Sequence, residues 1–192
     1  MEQCWLVLTF AGDRTYAGNL GYDDDPRRSY SYDSDVQNHT RVSTGDTIVV
    51  RDRDHLIGLA QVQQVTSKQQ TKGRRRCPTC GTAKLSARGE KEPKFRCKNG
   101  HEFSEPRTEE AAVTAFKAHF GPFVDASNAI PLDALRRACP RYAPQASIQR
   151  LNPDAIRWGL DAVSPEAARL LPAPVSSDLT QIPDSFRSLL IV

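Results

Sequence analysis

The sequence predicts an α+β domain built on a small curved sheet or barrel, with short helices and an insert in its middle. Three observations predict it. Short apolar and β-branched runs occupy the first third of the chain, two cysteine-bearing turns lie near the centre, and short proline-bounded helical patterns follow. The 192 residues suffice for one domain with a real core, and 39% apolar with 26% charged residues is a globular composition.

Residues 4–10 (CWLVLTF) are continuous and apolar and read as a buried first strand. The start carries an acidic flank and no basic segment, so it does not read as a secretion signal, and no apolar run approaches the ~18 residues of a membrane span. A cytoplasmic protein is expected. Residues 11–41 mix Gly, Asp, Asn, Arg and Tyr without a clean period and read as a long functional loop. Thr44-Gly45-Asp46 then turns into a strand over residues 47–51, with Ile48 and Val50 on one face. A turn at residues 52–55 leads to a second strand over 56–65, which makes a hairpin.

Residues 66–76 read as a polar, basic linker into the insert, which spans 68–107 and closes at Pro106. Residues 108–120 predict a helix: Thr108 as N-cap, Glu109 and Glu110 in the first turn, and apolar residues near a 3.6 period before Gly121-Pro122. Residues 131–139 predict a second short helix, and residues 153–160 a third that opens on a proline. Residues 172–192 read as a docking tail or a linker toward a further module.

The charge is uneven. Between residues 68 and 107 there are twelve Lys or Arg against four Glu, a net +8, so the rest of a +3 chain carries −5. A polyanion is the natural partner for such an insert, and nucleic acid the commonest polyanion. The plainer alternative is a solvated basic insert with no partner.

Five cysteines, an odd number, and a C-x2-C pair argue for metal rather than disulfides. Cys4 and Cys139 are isolated and read as packing residues. Cys77-Pro78-Thr79-Cys80 is followed after sixteen residues by Cys97-Lys98-Asn99-Gly100-His101. Each pair sits on a tight turn, where both side chains reach one ion. Four protein ligands (Cys77, Cys80, Cys97 and His101) close a tetrahedron around Zn²⁺ and leave no position for water, which makes the site structural. Residues 81–96 hold no long apolar run, so the metal supplies most of the insert's folding free energy.

No complete catalytic set is present: the sequence has no G-x-S-x-G, P-loop, H-E-x-x-H or G-x-G-x-x-G. His39, His55 and His119 sit in unrelated contexts. Asp23-Asp24-Asp25 reads as solvated loop, and Asp33 with Asp35 lacks a third acid at a metal-binding spacing.

Around residues 30–39, aromatic and hydrogen-bonding side chains alternate. A pocket for a nucleobase needs that mixture, a π-face for stacking and polar groups for the base edge. Tyr30, Tyr32, Asp33, Ser34 and Asn38 are its candidates, with Trp5 as a further aromatic. The alternative is that these tyrosines pack the loop onto the sheet.

The stretches YSYDSDVQNH (30–39), GDTIVVRD (45–52), GLAQV (58–62), CPTC (77–80), FRCKNGHEF (95–103) and SIQRLNP (147–153) together resemble the N-terminal domain of bacterial HNH-type, modification-dependent (type IV) restriction endonucleases. The resemblance spans most of residues 1–155. It implies a PUA-like fold related to the SRA, YTH and EVE readers, with residues 1–192 as a single reader domain. It also implies binding to double-stranded DNA that carries 5-methylcytosine, with the base flipped into an aromatic pocket, and a nuclease module fused in whole family members. No HNH signature occurs in these residues. Phosphate contacts are expected from Lys72, Arg74, Arg75 and Arg76, then from Arg27, Arg28 and Arg150. An RNA-binding zinc module and a protein-interaction module are the competing readings.

Overall fold

The computed structural model describes residues 2–9 and 25–174. Residues 175–192 of the expected tail, 11–24 of the expected loop and Phe10 of the expected first strand lie outside them. The strands are β1 (Cys4–Leu8), β2 (Ser29–Asp33), β3 (Thr47–Arg51), β4 (Leu56–Arg76), β5 (Leu85–Ala87), β6 (Phe95–Cys97), β7 (Glu102–Phe103), β8 (Arg107–Phe120), β9 (Val124–Asp125) and β10 (Ile148–Arg150). The helices are α1 (Leu132–Arg137), α2 (Asp154–Val163) and α3 (Pro165–Arg169). The protein is thus mixed α+β, mostly sheet, and no described helix is long and apolar enough to cross a membrane.

One sheet runs β10-β1-β3-β4-β8-β2, with β9 also paired to β4, and a small sheet runs β5-β6-β7. The β1–β3 pair is parallel; the β3–β4 hairpin is antiparallel, as the turn at residues 52–55 leads one to expect. Period-2 alternation gives β3 two buried faces. Ile48 and Val50 join Trp5, Val7, Tyr30, Tyr32, Ala118 and Phe120 in one core, while Val49 joins Cys4, Leu6, Leu59 and helix residues Leu135, Ile156 and Leu160 in another. The three helices therefore cover one face, and the sheet curls around the other.

That curl brings the end strands together without closing a barrel. The Tyr30 hydroxyl on β2 lies 3.4 Å from the carbonyl oxygens of Leu8 and Ser147, beside β1 and β10. Asn38, just beyond β2, donates from Nδ2 to the Ile148 carbonyl at 3.0 Å. Side chains rather than a backbone ladder bridge the gap.

Three expectations are corrected. Residues 66–76 are no linker: they continue β4 to a length of 21 residues. Residues 108–120 are no helix but belong to β8, which pairs with β4 from Val62↔Phe120 to Arg76↔Arg107. The misleading period has a cause. Val113 and Ala115 are buried on one face of β8, Ala118 and Phe120 on the other, so the apolar spacing changes phase within the strand and imitates a helix. Long-range pairing then overrides the helix propensity of Ala, Glu and Lys. Within the supposed loop over 11–41, residues 29–33 form β2, whose Tyr-Ser-Tyr alternation sends both rings inward.

β2 pairs with β8 only as far as Asp33↔Ala115. Beyond that point β4 and β8 run on as a two-stranded ribbon, with the cysteine-rich insert at its end. Residues 77–106 lie between the paired ends of β4 and β8.

Candidate metal centre and cationic cleft

β4 delivers Cys77 directly from its last residue, Arg76. The chain then turns tightly: Gly81 adopts φ +69° and donates its backbone N–H to the Cys77 carbonyl at 2.9 Å, while Cys77 N–H reaches the Thr82 carbonyl at 2.9 Å. The second turn repeats the device. Gly100 at φ +87° donates to the Cys97 carbonyl, and Cys97 N–H donates to the His101 carbonyl, both at 2.9 Å. Glycine accepts this left-handed backbone without steric cost, so both turns stay tight.

These turns bring all four donor atoms of Cys77, Cys80, Cys97 and His101 within 4.8 Å of one another. Cys80 Sγ lies 3.8 Å from Cys97 Sγ, and His101 Nδ1 lies 3.8 Å from Cys77 Sγ and 3.5 Å from Cys97 Sγ. Two ~2.3 Å Zn–S bonds at a tetrahedral angle would separate their sulfurs by about 3.8 Å, so the set fits a zinc ion. Backbone amides prepare two of the three thiolates. The Thr82 amide, acting against desolvation and helped by His101 and Asn99, lowers Cys80 to about 6. At Cys77 burial pushes the thiol up, but the amides of Cys80 and Thr79 outweigh it and the net direction is down. Burial prevails at Cys97, whose thiol is raised, and hydrogen bonding to Cys80 raises His101. Cys77, Cys97 and Phe103 form the module's own small core, with the Phe95 and Phe103 rings stacked at 6.1 Å.

The residues expected to form a base pocket are mostly not gathered around an opening. Trp5, Tyr30 and Tyr32 are core residues, 0%, 4% and 1% exposed. The Trp5 indole donates to Asp46 at 2.8 Å, and Tyr32 stacks between Tyr30 and Phe116. Asp33 is fully buried against the Lys72 ammonium at 2.6 Å. Ser34 Oγ accepts the Thr114 amide at 3.2 Å. The physical reason is the strand itself: alternate positions of β2 must face the core, and the tyrosines occupy them.

The expected phosphate contacts divide in two. Lys72 pairs with Asp33 and Asp35, Arg74 with Asp35 at 2.6 Å, Arg76 with Glu109, Arg27 with Asp125 and Arg28 with Asp25. Arg75 and Arg150 have no ion-pair partner among the described residues.

Asn38 and Arg150 meet in a cleft of about 630 Å³ between the turn after β2 and the segment leading through β10. Asn38 adopts φ +67°, a backbone state Asn tolerates, and its amide ties the turn to Ile148. Gln149 is 4% exposed, accepts the Ala143 amide at 2.7 Å and donates to the Ala146 carbonyl at 3.2 Å, which fixes the opposite wall. Arg41 and Arg141 also line the cleft, and neither has an ion-pair partner among the described residues. His39 also lines the cleft, its ring 5.6 Å from Phe116. Three unneutralised guanidinium groups around a preformed hollow suit an anionic ligand with a planar part.

Sequence reasoning missed Arg41 and Arg141, since nothing local marks them; only the convergence of two distant segments does. No family model, no curated protein and no solved structure matches this chain.

Proposed function

We propose that this chain binds double-stranded DNA carrying 5-methylcytosine, as the recognition unit of a modification-dependent restriction endonuclease. The observation that carries the reading is the cleft. It joins Asn38 and Arg150, both expected at a DNA site, with Arg41, Arg141 and His39, and it is roomy enough for a nucleotide.

On this reading a base leaves the duplex and enters the cleft. Extrusion costs a few kcal/mol, which stacking of ~1–3 kcal/mol and edge hydrogen bonds offset. His39 and the planar arginine heads replace the buried tyrosines as stacking surfaces. A methyl group in an apolar niche adds about 0.8 kcal/mol, roughly fourfold in affinity, so strict discrimination has to come from shape. The basic ribbon has the width of a two-stranded element that a major groove admits. At its tip the four-ligand set holds one structural Zn²⁺, and three thiolates with one imidazole leave it no open position for catalysis. The curled sheet with helices on one face supports a PUA-like classification.

Fluorescence polarisation with matched methylated and unmethylated duplexes, and single-stranded RNA of equal length, tests this at fixed salt. The methylated duplex is expected to bind tightest. Equal affinity for both duplexes would remove methyl reading, and a preference for RNA would replace the DNA assignment.

A further inference from the structure

On the face of the sheet opposite the curled core, β2, β8 and β4 run side by side and leave a groove of about 530 Å³. Its lining includes Lys68, Lys117, His119, Thr66 and Gln70, with Ala115 on its floor. The register explains the grouping. Ser31, Lys117 and Thr66 form one row across the three strands, and Asp33, Ala115 and Lys68 form the next. Residues paired in a row share a face, so both lysines project to the same side.

The availability of charge separates this groove from the ribbon above it. Lys72, Arg74 and Arg76 share its face, two residues apart along β4, but each is held by a carboxylate. To grip a phosphate, each would first have to release that partner. Lys68 and Lys117 have no ion-pair partner among the described residues. The acid in their own rows, Asp33, is engaged by Lys72 at 2.6 Å. Thr66 Oγ1 and His119 Nε2 lie 3.2 Å apart at the groove edge and add hydrogen-bonding capacity. Among the described residues no carboxylate lines the groove, while Ala115 and Phe116 offer an apolar surface that suits a sugar.

We propose that this groove holds the phosphodiester backbone of the bound duplex, through Lys68 and Lys117. The proposal rests on the DNA reading above and adds a second, sequence-blind contact to it. A polyanion suits the groove better than an apolar partner because β4 and β8 each present a lysine to it, Lys68 and Lys117.

The test compares Lys68→Gln/Lys117→Gln with a control of equal charge loss on the helix layer, Arg137→Gln/Arg169→Gln. Duplex affinity is measured between 50 and 200 mM salt for methylated and unmethylated DNA, after thermal unfolding has verified both folds. Each phosphate contact contributes about 0.9 to the slope of log affinity against log salt. The groove pair is expected to lower that slope by about two and to weaken both duplexes equally, while the control keeps the wild-type slope. An unchanged slope in the groove pair overturns the proposal and leaves the DNA reading standing. An equal fall in the control also overturns it, because net charge alone would then explain the effect. If the wild-type protein binds no duplex, both readings fall together.

Discussion

The Lys72 ammonium sits 2.6 Å from the Asp33 carboxylate, across 39 residues of sequence, and fastens the ribbon to the edge strand β2. Asp33 is completely buried, and its carboxylate also accepts the Asp35 backbone amide at 2.9 Å, so the ammonium and the amide hold it together. Lys72 also lies 3.6 Å from Asp35, which in turn holds Arg74. The basic residues nearest the sheet thus brace the fold before they meet any ligand.

Lys72→Ala is therefore expected to cost stability rather than a phosphate contact. Removing one partner of a buried pair costs ~3–5 kcal/mol; the partial exposure of Lys72 brings the expectation to roughly 2–4 kcal/mol. Urea unfolding measures it. An unaltered midpoint would return Lys72 to the role of a free DNA contact.

Tyr32→Phe should leave DNA binding intact and stability equal or higher by up to about 1 kcal/mol, because the Tyr32 hydroxyl is buried with no hydrogen-bond partner among the described residues. The phenol also governs alkaline behaviour. Burial, helped by Asp46, raises Tyr32 from 10.0 to about 12, and burial raises Cys139 from 9.0 to about 11, partly opposed by Arg51. Both groups stay protonated in the fold after the unfolded chain has begun to ionise. Their stabilising contribution is complete below pH 9 and declines between about pH 9 and 12. Melting temperature followed from pH 8 to 11 should fall, and less steeply in Tyr32→Phe.

Stripping the metal with a chelator should unfold residues 77–106 while the main sheet persists. Backbone NMR would show the signals of β5–β7 collapsing and those of β1 and β3 unchanged. Duplex affinity should drop more than the ratio between methylated and unmethylated DNA. Loss of the ratio alone would mean that the module, rather than the cleft, reads the base.

Arg150→Gln in the cleft should weaken binding and reduce the salt slope by about 0.9 if its partner is a phosphate. A change in methyl preference with an intact slope would instead assign Arg150 to the base. Titrations at three salt concentrations separate the two outcomes.

Much of this was legible in the residues, and what was hidden has a common cause. The four donor positions of the metal centre could be read because local turns carry them: Gly81 and Gly100 stand where the chain must turn left-handed. The β3–β4 hairpin was readable for the same reason, since four polar residues separate two apolar runs. The strand character of residues 108–120 was hidden because its partner lies 33 to 58 residues upstream, from Arg75↔Thr108 to Val62↔Phe120, and its buried face switches midway. Tyr30 and Tyr32 looked like pocket residues because an amphipathic ring suits a site and a core equally well. Only β2's pairing with β8 decides which face they take. Arg41 and Arg141 had no signal at all, since the cleft exists only once β10 is laid beside the turn after β2.

The in-register pairing of Arg76 with Arg107 has an architectural corollary. Residues 77–106 occupy the place where an ordinary hairpin would have its two-residue bend. The parent sheet closes its ladder before the first cysteine is reached, so its hydrogen bonding asks nothing of the cassette. An Asn-Gly dipeptide in place of those residues would give a plain hairpin of the same register. Exchanging one tip for another would then change what the arm touches without redrawing the domain that carries it.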